Sequence, residues 1–361
     1  FNLSNYNDTL ALECYNEALS YESDCSQALL GSAEIFRYRG NYPEFFKTVN
    51  YFISNEGTPV EPKTRYVSSL IQHADRHWLQ TYKSQMDSLV NSMMSAAPSD
   101  STFMQVAGGY YHQTGREDKA REIFKAERDQ FPESLSARYN YVQLLYLQND
   151  WDSLLDESEE AFKAFPDQYD FLQLKNIANY NKGDFDGLIK ECERLLACAP
   201  RDSSVLLYAY TSMGDAYHEK GESSKAYAAY DKALKLNPAY APVLNNYAYY
   251  LCLEGKKLKK AYSMSKITVE QEPDNATYLD TFGWILYKMG KPLEAKPFFK
   301  HAMLYGGKDQ VALLDHYAEV LYALKDYDTA KVYWNLAKNK NSDGAVPDLE
   351  ERIKQRLEAI K

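Results

Sequence analysis

Four prolines, Pro98, Pro132, Pro166 and Pro200, stand 34 residues apart, and Pro238 and Pro273 continue the series at 38 and 35. Ala226, Ala261, Ala295 and Ala330 keep the same beat, at 35, 34 and 35. A chain with such a period repeats one supersecondary unit instead of wrapping a single core. The interval has room for two short helices and a turn, so the spacing predicts helix hairpins stacked side by side.

The stretch GDAYHEKGESSKAYAAYDKALKLNP, from Gly214 to Pro238, shows what each position does. Tyr210, Met213, Gly214 and Tyr217 recur three and four apart and share one face of a first helix. Gly221 can take the left-handed conformation that ends it. Ala226, Tyr230 and Ala233 line one face of a second helix, which Pro238 stops. Gly214 and Ala226 are small because the helices are expected to cross closely there. A large side chain at Ala226 should overpack the crossing by roughly 1–3 kcal/mol.

These residues resemble the tetratricopeptide repeat. TFGWILYKMGKPLEAKPFFKHAM matches its pattern at Phe282, Gly283, Leu286, Gly290, Ala295, Phe299 and Ala302. QVAGGYYHQTGREDKAREIFKAERDQFP matches at Gly108, Tyr111, Gly115, Ala120, Phe124 and Pro132. HYAEVLYALKDYDTAKVYWNLA matches at Ala318, Leu321, Ala330, Trp334 and Ala337. Residues 135–168 and 169–202 keep Pro166, Pro200, Gly183, Trp151 and Phe185 but place Leu154 and Leu188 where alanine is expected. Residues 26–58 keep Gly40 and Tyr42, and 62–99 keep little beyond Pro98. The unit at 241–274 carries one extra residue in its turn, EGKKLKKA.

The resemblance implies an all-α, right-handed superhelical solenoid of antiparallel helix pairs, about nine repeats and a C-terminal capping helix. Four segments are expected: the second helix of a truncated repeat at 1–25, divergent repeats at 26–100, the main array at 101–343 and a capping helix at 344–361. LALECYNEALSYESD reads as a second helix whose partner would lie upstream of Phe1, which implies a longer natural protein with any signal sequence outside this chain.

Composition narrows the functions. Lys and Arg number 41 against 51 Asp and Glu, a net charge of −10 with no block of like charge, which disfavours nucleic acid. No apolar run approaches the ~18 residues of a membrane span. Cys14, Cys25, Cys192, Cys198 and Cys252 are odd in number and lack a C-x-x-C pair, and are read as small, mostly buried side chains. HADRH, His73 to His77, has the spacing of a zinc helix, but Ala74 holds the place of the general base and no third ligand stands out. By register both histidines fall on the hairpin's packing face. The chain also lacks the glycine-rich and nucleophile-elbow signatures of common enzymes. It is read as non-enzymatic, with no cofactor and no metal.

In proteins of the resembled family, first helices line an inner groove that holds peptides or partner helices. Carried over by repeat position, that groove is expected to hold Asp170, Asp215, Glu219, Asp280, Asp315 and Glu319 against the single cation Lys288. An acidic groove steers and holds a basic segment. The recurring twelfth place reads His112, Tyr146, Tyr180, His218, Cys252, Tyr287 and Tyr322, and the ninth includes Tyr249 and Trp284. These aromatics either anchor an extended peptide or pack repeat on repeat. The basic clamp that some relatives use for chaperone tails is missing, since Tyr139, Gln143, Gln173, Ile177 and Asp280 hold its places.

The expected function is therefore a protein-interaction scaffold, its partner a basic protein segment and its oligomeric state open. Exchange of Asp280 and Asp315 for lysine is expected to weaken binding and spare helicity. Two alternatives stand beside it, a carbohydrate or small-ligand receptor of the cell envelope and the docking arm of an upstream enzyme. The dense match in the last repeats resembles bacterial repeat proteins, some of them envelope lipoproteins, so a bacterial envelope setting is preferred to the cytoplasm.

Overall fold

The structure is a computed structural model that describes residues 8–96, 98–341, 344 and 346–359. The outer parts of the two expected terminal segments, 1–7 and 360–361, lie outside the described residues, as do 342, 343 and 345. Among the described residues there are twenty-one α-helices and no strand. Contacts divide the chain into two units, 1–178 and 179–361, with the seam inside one helix.

The first unit holds α1 (Asp8–Tyr21), α2 (Ser26–Tyr38), α3 (Tyr42–Ser54), α4 (Val60–His73), α5 (Arg76–Thr81) and α6 (Lys83–Ala96). It continues through α7 (Ser101–Gln113), α8 (Glu117–Gln130), α9 (Leu135–Leu147), α10 (Trp151–Ala164) and most of α11 (Asp170–Asn181). The second unit holds α12 (Phe185–Cys198), α13 (Ser203–Glu219), α14 (Ser223–Leu236), α15 (Ala241–Leu253) and α16 (Leu258–Gln271). After these come α17 (Ala276–Lys288), α18 (Pro292–Ala302), α19 (Val311–Ala323), α20 (Tyr327–Lys340) and α21 (Leu349–Glu358). In each unit, successive helices pair as hairpins: α2 with α3 and α7 with α8 in the first, and α13 with α14 through α19 with α20 in the second.

One rule of packing closes the well-formed hairpins. A Cβ added at Gly108 would sit 2.6 Å from the ring of Phe124, at Gly214 2.3 Å from Tyr230, and at Gly283 2.6 Å from Phe299. Each ring comes sixteen residues after its glycine. The first helix omits a side chain so that an aromatic of the second can lie on its backbone. Ala226, Ala261, Ala295 and Ala330, one on each second helix from α14 to α20, are wholly buried.

The helix ends follow the same economy. Gly221 has φ +75°, and the amides of Gly221 and Glu222 donate to the carbonyls of His218 and Tyr217 at 2.7 and 2.8 Å. In two repeats a side chain is forced into that left-handed place, Asn149 at φ +55° and Lys325 at φ +63°. The extra residue between α15 and α16 is accommodated by Lys257, also left-handed at φ +49°.

Two expectations need correction. His73 and His77 are exposed and lie on different helices. Ala74 is extended (ψ 130°), and Asp75 starts α5 by accepting from the Trp78 amide at 2.7 Å, so the single register behind the zinc-like spacing does not exist. The cysteines are not mostly buried: Cys192 and Cys252 are, but Cys14 and Cys198 are exposed and Cys25 is half-buried.

Candidate partner-binding face

In the second unit, first helices α13, α15, α17 and α19 bring most of the sequence-derived site residues together. The aromatics join in an unbroken series of ring contacts. His218 stacks on Tyr250 (centroids 3.3 Å apart, planes 12°), and Tyr250 meets Tyr249 at 6.0 Å. Tyr249 reaches His316 at 6.2 Å, and His316 lies flat on Trp284 at 4.0 Å. Trp284 then stacks on Tyr287 at 4.9 Å, with the Lys288 ammonium 4.7 Å above its ring. Tyr322 stands apart from this series, against Tyr327 and Trp334.

Three of the six expected carboxylates are not free groove charges. Asp280 accepts from His316 Nδ1 at 2.9 Å, and Asp315 from Trp334 Nε1 at 3.2 Å and Arg352 Nη2 at 2.8 Å. Glu319 accepts from Arg356 Nε and Nη2 at 3.1 and 2.9 Å. All three acids are buried, at 8%, 3% and 4% exposure. The expectation that Asp280, Asp315 and Glu319 lend free negative charge to the groove therefore needs correction. A carboxylate shielded from water needs an internal donor, and the next helix along supplies one. Arg352 and Arg356 of α21 repeat the four-residue spacing of Asp315 and Glu319, while Leu349 and Ile353 of the same helix bury their side chains. In the first unit, Asp170 accepts from the Tyr139 hydroxyl at 3.2 Å, and Tyr146 is half-buried edge-on to Trp151.

At the α13 end the picture differs. Asp215 accepts from the Tyr230 hydroxyl at 2.5 Å and from Asn246 Nδ2 at 3.1 Å, both uncharged donors. Burial pushes its carboxyl above the usual range, against the pull of those two hydrogen bonds, and the nearby Glu219 pushes the same way. Glu219 is exposed, and among the described residues no cation lies within ion-pair distance of it. Burial also holds the His218 imidazole below its ordinary value, although Glu219 and Asp215 favour its charged form. Tyr180 is 46% exposed, and its hydroxyl is pushed above its ordinary pKa first by partial burial and then by Glu219 and Asp215. Tyr180, Asp215, His218 and Glu219 thus make a small acidic, aromatic patch that lacks an internal counter-charge.

Sequence reasoning missed Tyr250, His316, Arg352 and Arg356. The first two lie beside expected positions, directly after Tyr249 and Asp315. The arginines were legible as a charged pair four apart, but nothing in the sequence alone sets them against Asp315 and Glu319. Among the described residues no group of three His, Cys, Asp or Glu side chains is placed to hold a metal ion. No helix among them is long and apolar enough to cross a membrane.

Residues 207–240 match the tetratricopeptide repeat model. Over 71% of its length the chain superposes on 98% of a tetratricopeptide repeat protein from Parabacteroides merdae, with TM-score 0.56 and 14% identity. It also superposes over 98% of its length on 87% of yeast Tom70, with TM-score 0.50 and 14% identity. At such identities these likenesses speak to fold. No curated protein matches the sequence. That match identifies residues 207–240 as a tetratricopeptide repeat, and the paired helices around them share the fold of tetratricopeptide-repeat arrays.

Proposed function

We propose that this protein is a non-catalytic scaffold that holds a protein segment against the first-helix face of its second unit. The segment carries a lysine or arginine that sits between Glu219 and Asp215, with its flanking residues on Tyr180, His218 and Tyr250.

One observation carries this reading: two neighbouring carboxylates are kept on α13 without an internal cation, one of them half-buried in a setting that disfavours its charge. Elsewhere on the same face Asp280, Asp315 and Glu319 are each given a partner. A cation from outside would relieve the repulsion at Asp215 and Glu219 and lower the proton affinity of Asp215. Aromatic rings beside such a charge supply contact area at small entropic cost.

Selection of displayed peptides on the immobilised protein tests the reading. Recovered peptides should share a basic residue flanked by apolar ones, and the enrichment should vanish on a Glu219→Lys, Tyr180→Ala protein. Enrichment that survives both substitutions would remove α13 from the binding surface.

A further inference from the structure

One hairpin of the first unit is open. In the well-formed hairpins a first helix closes on its second helix through a glycine crossing, as Gly108 does beneath Phe124. In α6 the apolar side chains Met86, Leu89, Val90 and Met93 are buried, and α6 packs on α3 and α7. Its remaining face carries Ser84, Ser88, Ser92 and Ser95, four, four and three residues apart. Hydroxyls give α4 nothing apolar to close on, and α4 packs instead on α7. Between α4 and α6 lies a cleft of about 860 Å³, lined by the serine face together with Asn91, Thr58 and Lys63.

Lys63 is the unusual member. It is 4% exposed, and its ammonium donates to the carbonyl of Asn55. Among the described residues no carboxylate lies within ion-pair distance of it. The acids of the cleft do not serve it: Asp87 is held by Arg116 and the Tyr110 hydroxyl, and Glu56 is exposed in the α3–α4 loop. Burial lowers the Lys63 pKa, with Glu56 pulling weakly the other way. A buried ammonium has three hydrogens to place and is costly without a counter-charge. In the same cleft, each serine hydroxyl can donate. Asn91 accepts from the Tyr111 hydroxyl through Oδ1 at 3.2 Å, which leaves its amide hydrogens to donate as well.

We propose that the opened α4–α6 hairpin is a binding site for an oxyanion, the phosphate or carboxylate group of a small polar ligand. The anion pairs with the Lys63 ammonium and takes hydrogen bonds from Ser84, Ser88 and the Asn91 amide. The site is independent of the second unit's partner face.

Calorimetric titration of the full chain with inorganic phosphate, and separately with acetate at matched ionic strength, tests it. Saturable binding of phosphate alone points to a phosphorylated ligand, and of acetate alone to a carboxylate; either supports the site. Lys63→Met keeps the apolar stem, removes the ammonium and should weaken binding by about tenfold or more. That variant should fold at least as stably as the parent in the absence of anion, since it discards an unpaired buried charge. Lys47→Met, on the exposed side of α3, should bind as the parent does. No saturable binding of either anion, or equal binding by Lys63→Met, would overturn the proposal.

Discussion

Arg356 grips both oxygens of Glu319 at 3.1 and 2.9 Å while its guanidinium stands 5.1 Å from the centre of the Tyr322 ring. The carboxylate is buried and the guanidinium half-exposed, so the pair ties α21 to α19 at the edge of the core. Arg356→Ala would strand the carboxylate. The expected cost is about 2–3 kcal/mol, below that of a fully buried pair because water still reaches the arginine. Urea unfolding of Arg356→Ala, Glu319→Gln and the double variant should show strong coupling, with the double variant recovering much of the loss.

Lysine at Asp280 and Asp315 should unfold the end of the second unit, not merely weaken partner binding. Each substitution sets a cation against His316 or Arg352 in a buried place, at a cost of more than about 3 kcal/mol. Circular dichroism of the double variant should show lost helix and an early, broadened melt. A native spectrum and melt would return these acids to the open groove.

Two adjacent glycines should respond with opposite sign. Gly108→Ala drives a methyl into the Phe124 ring and should cost about 1–3 kcal/mol. Gly109 is helical with open space at its Cβ position, so Gly109→Ala should gain about 0.5–1 kcal/mol from helix propensity. Melting of the two variants side by side checks the crossing rule.

Lys325 occupies the left-handed place that Gly290 fills in the preceding repeat. Lys325→Gly should stabilise by about 1 kcal/mol, the strain of a side chain in that conformation less the added freedom of the unfolded chain.

The α13 patch should leave a mark on pH dependence. Because burial depresses the His218 pKa, its contribution to stability is present above its ordinary value near 6.5 and is lost as pH falls through the lower folded value. Asp215 acts in the opposite sense, since its raised pKa favours the fold at low pH and that favour is lost as pH rises through the folded value. Asp215→Asn keeps an acceptor for Tyr230 and should raise the melting temperature at neutral pH. Melts across the range from acid to neutral, on the parent and on His218→Phe, separate the two contributions.

The hairpins and their turns were legible because period, glycine and alanine positions and proline stops are local features. Gly214 and Gly221 can be assigned from a few neighbours. The fate of the carboxylates was not legible in that way. Asp280 and Asp315 occupy first-helix positions that can face either a groove or the next helix, and the choice depends on whether that next helix offers His316 or Arg352. The serine face of α6 was visible as letters, but its consequence depends on α3 and α7 claiming the apolar side of that helix.

Affinity for a lysine-containing peptide recovered by selection, measured by fluorescence anisotropy on the parent, Glu219→Lys and Arg356→Ala, tests the central claim most directly. Glu219→Lys should weaken binding by about tenfold or more and flatten its salt dependence, since an exposed attraction becomes a repulsion. Arg356→Ala, whose change falls on α21, should bind as the parent does. Full affinity in Glu219→Lys would contradict the account.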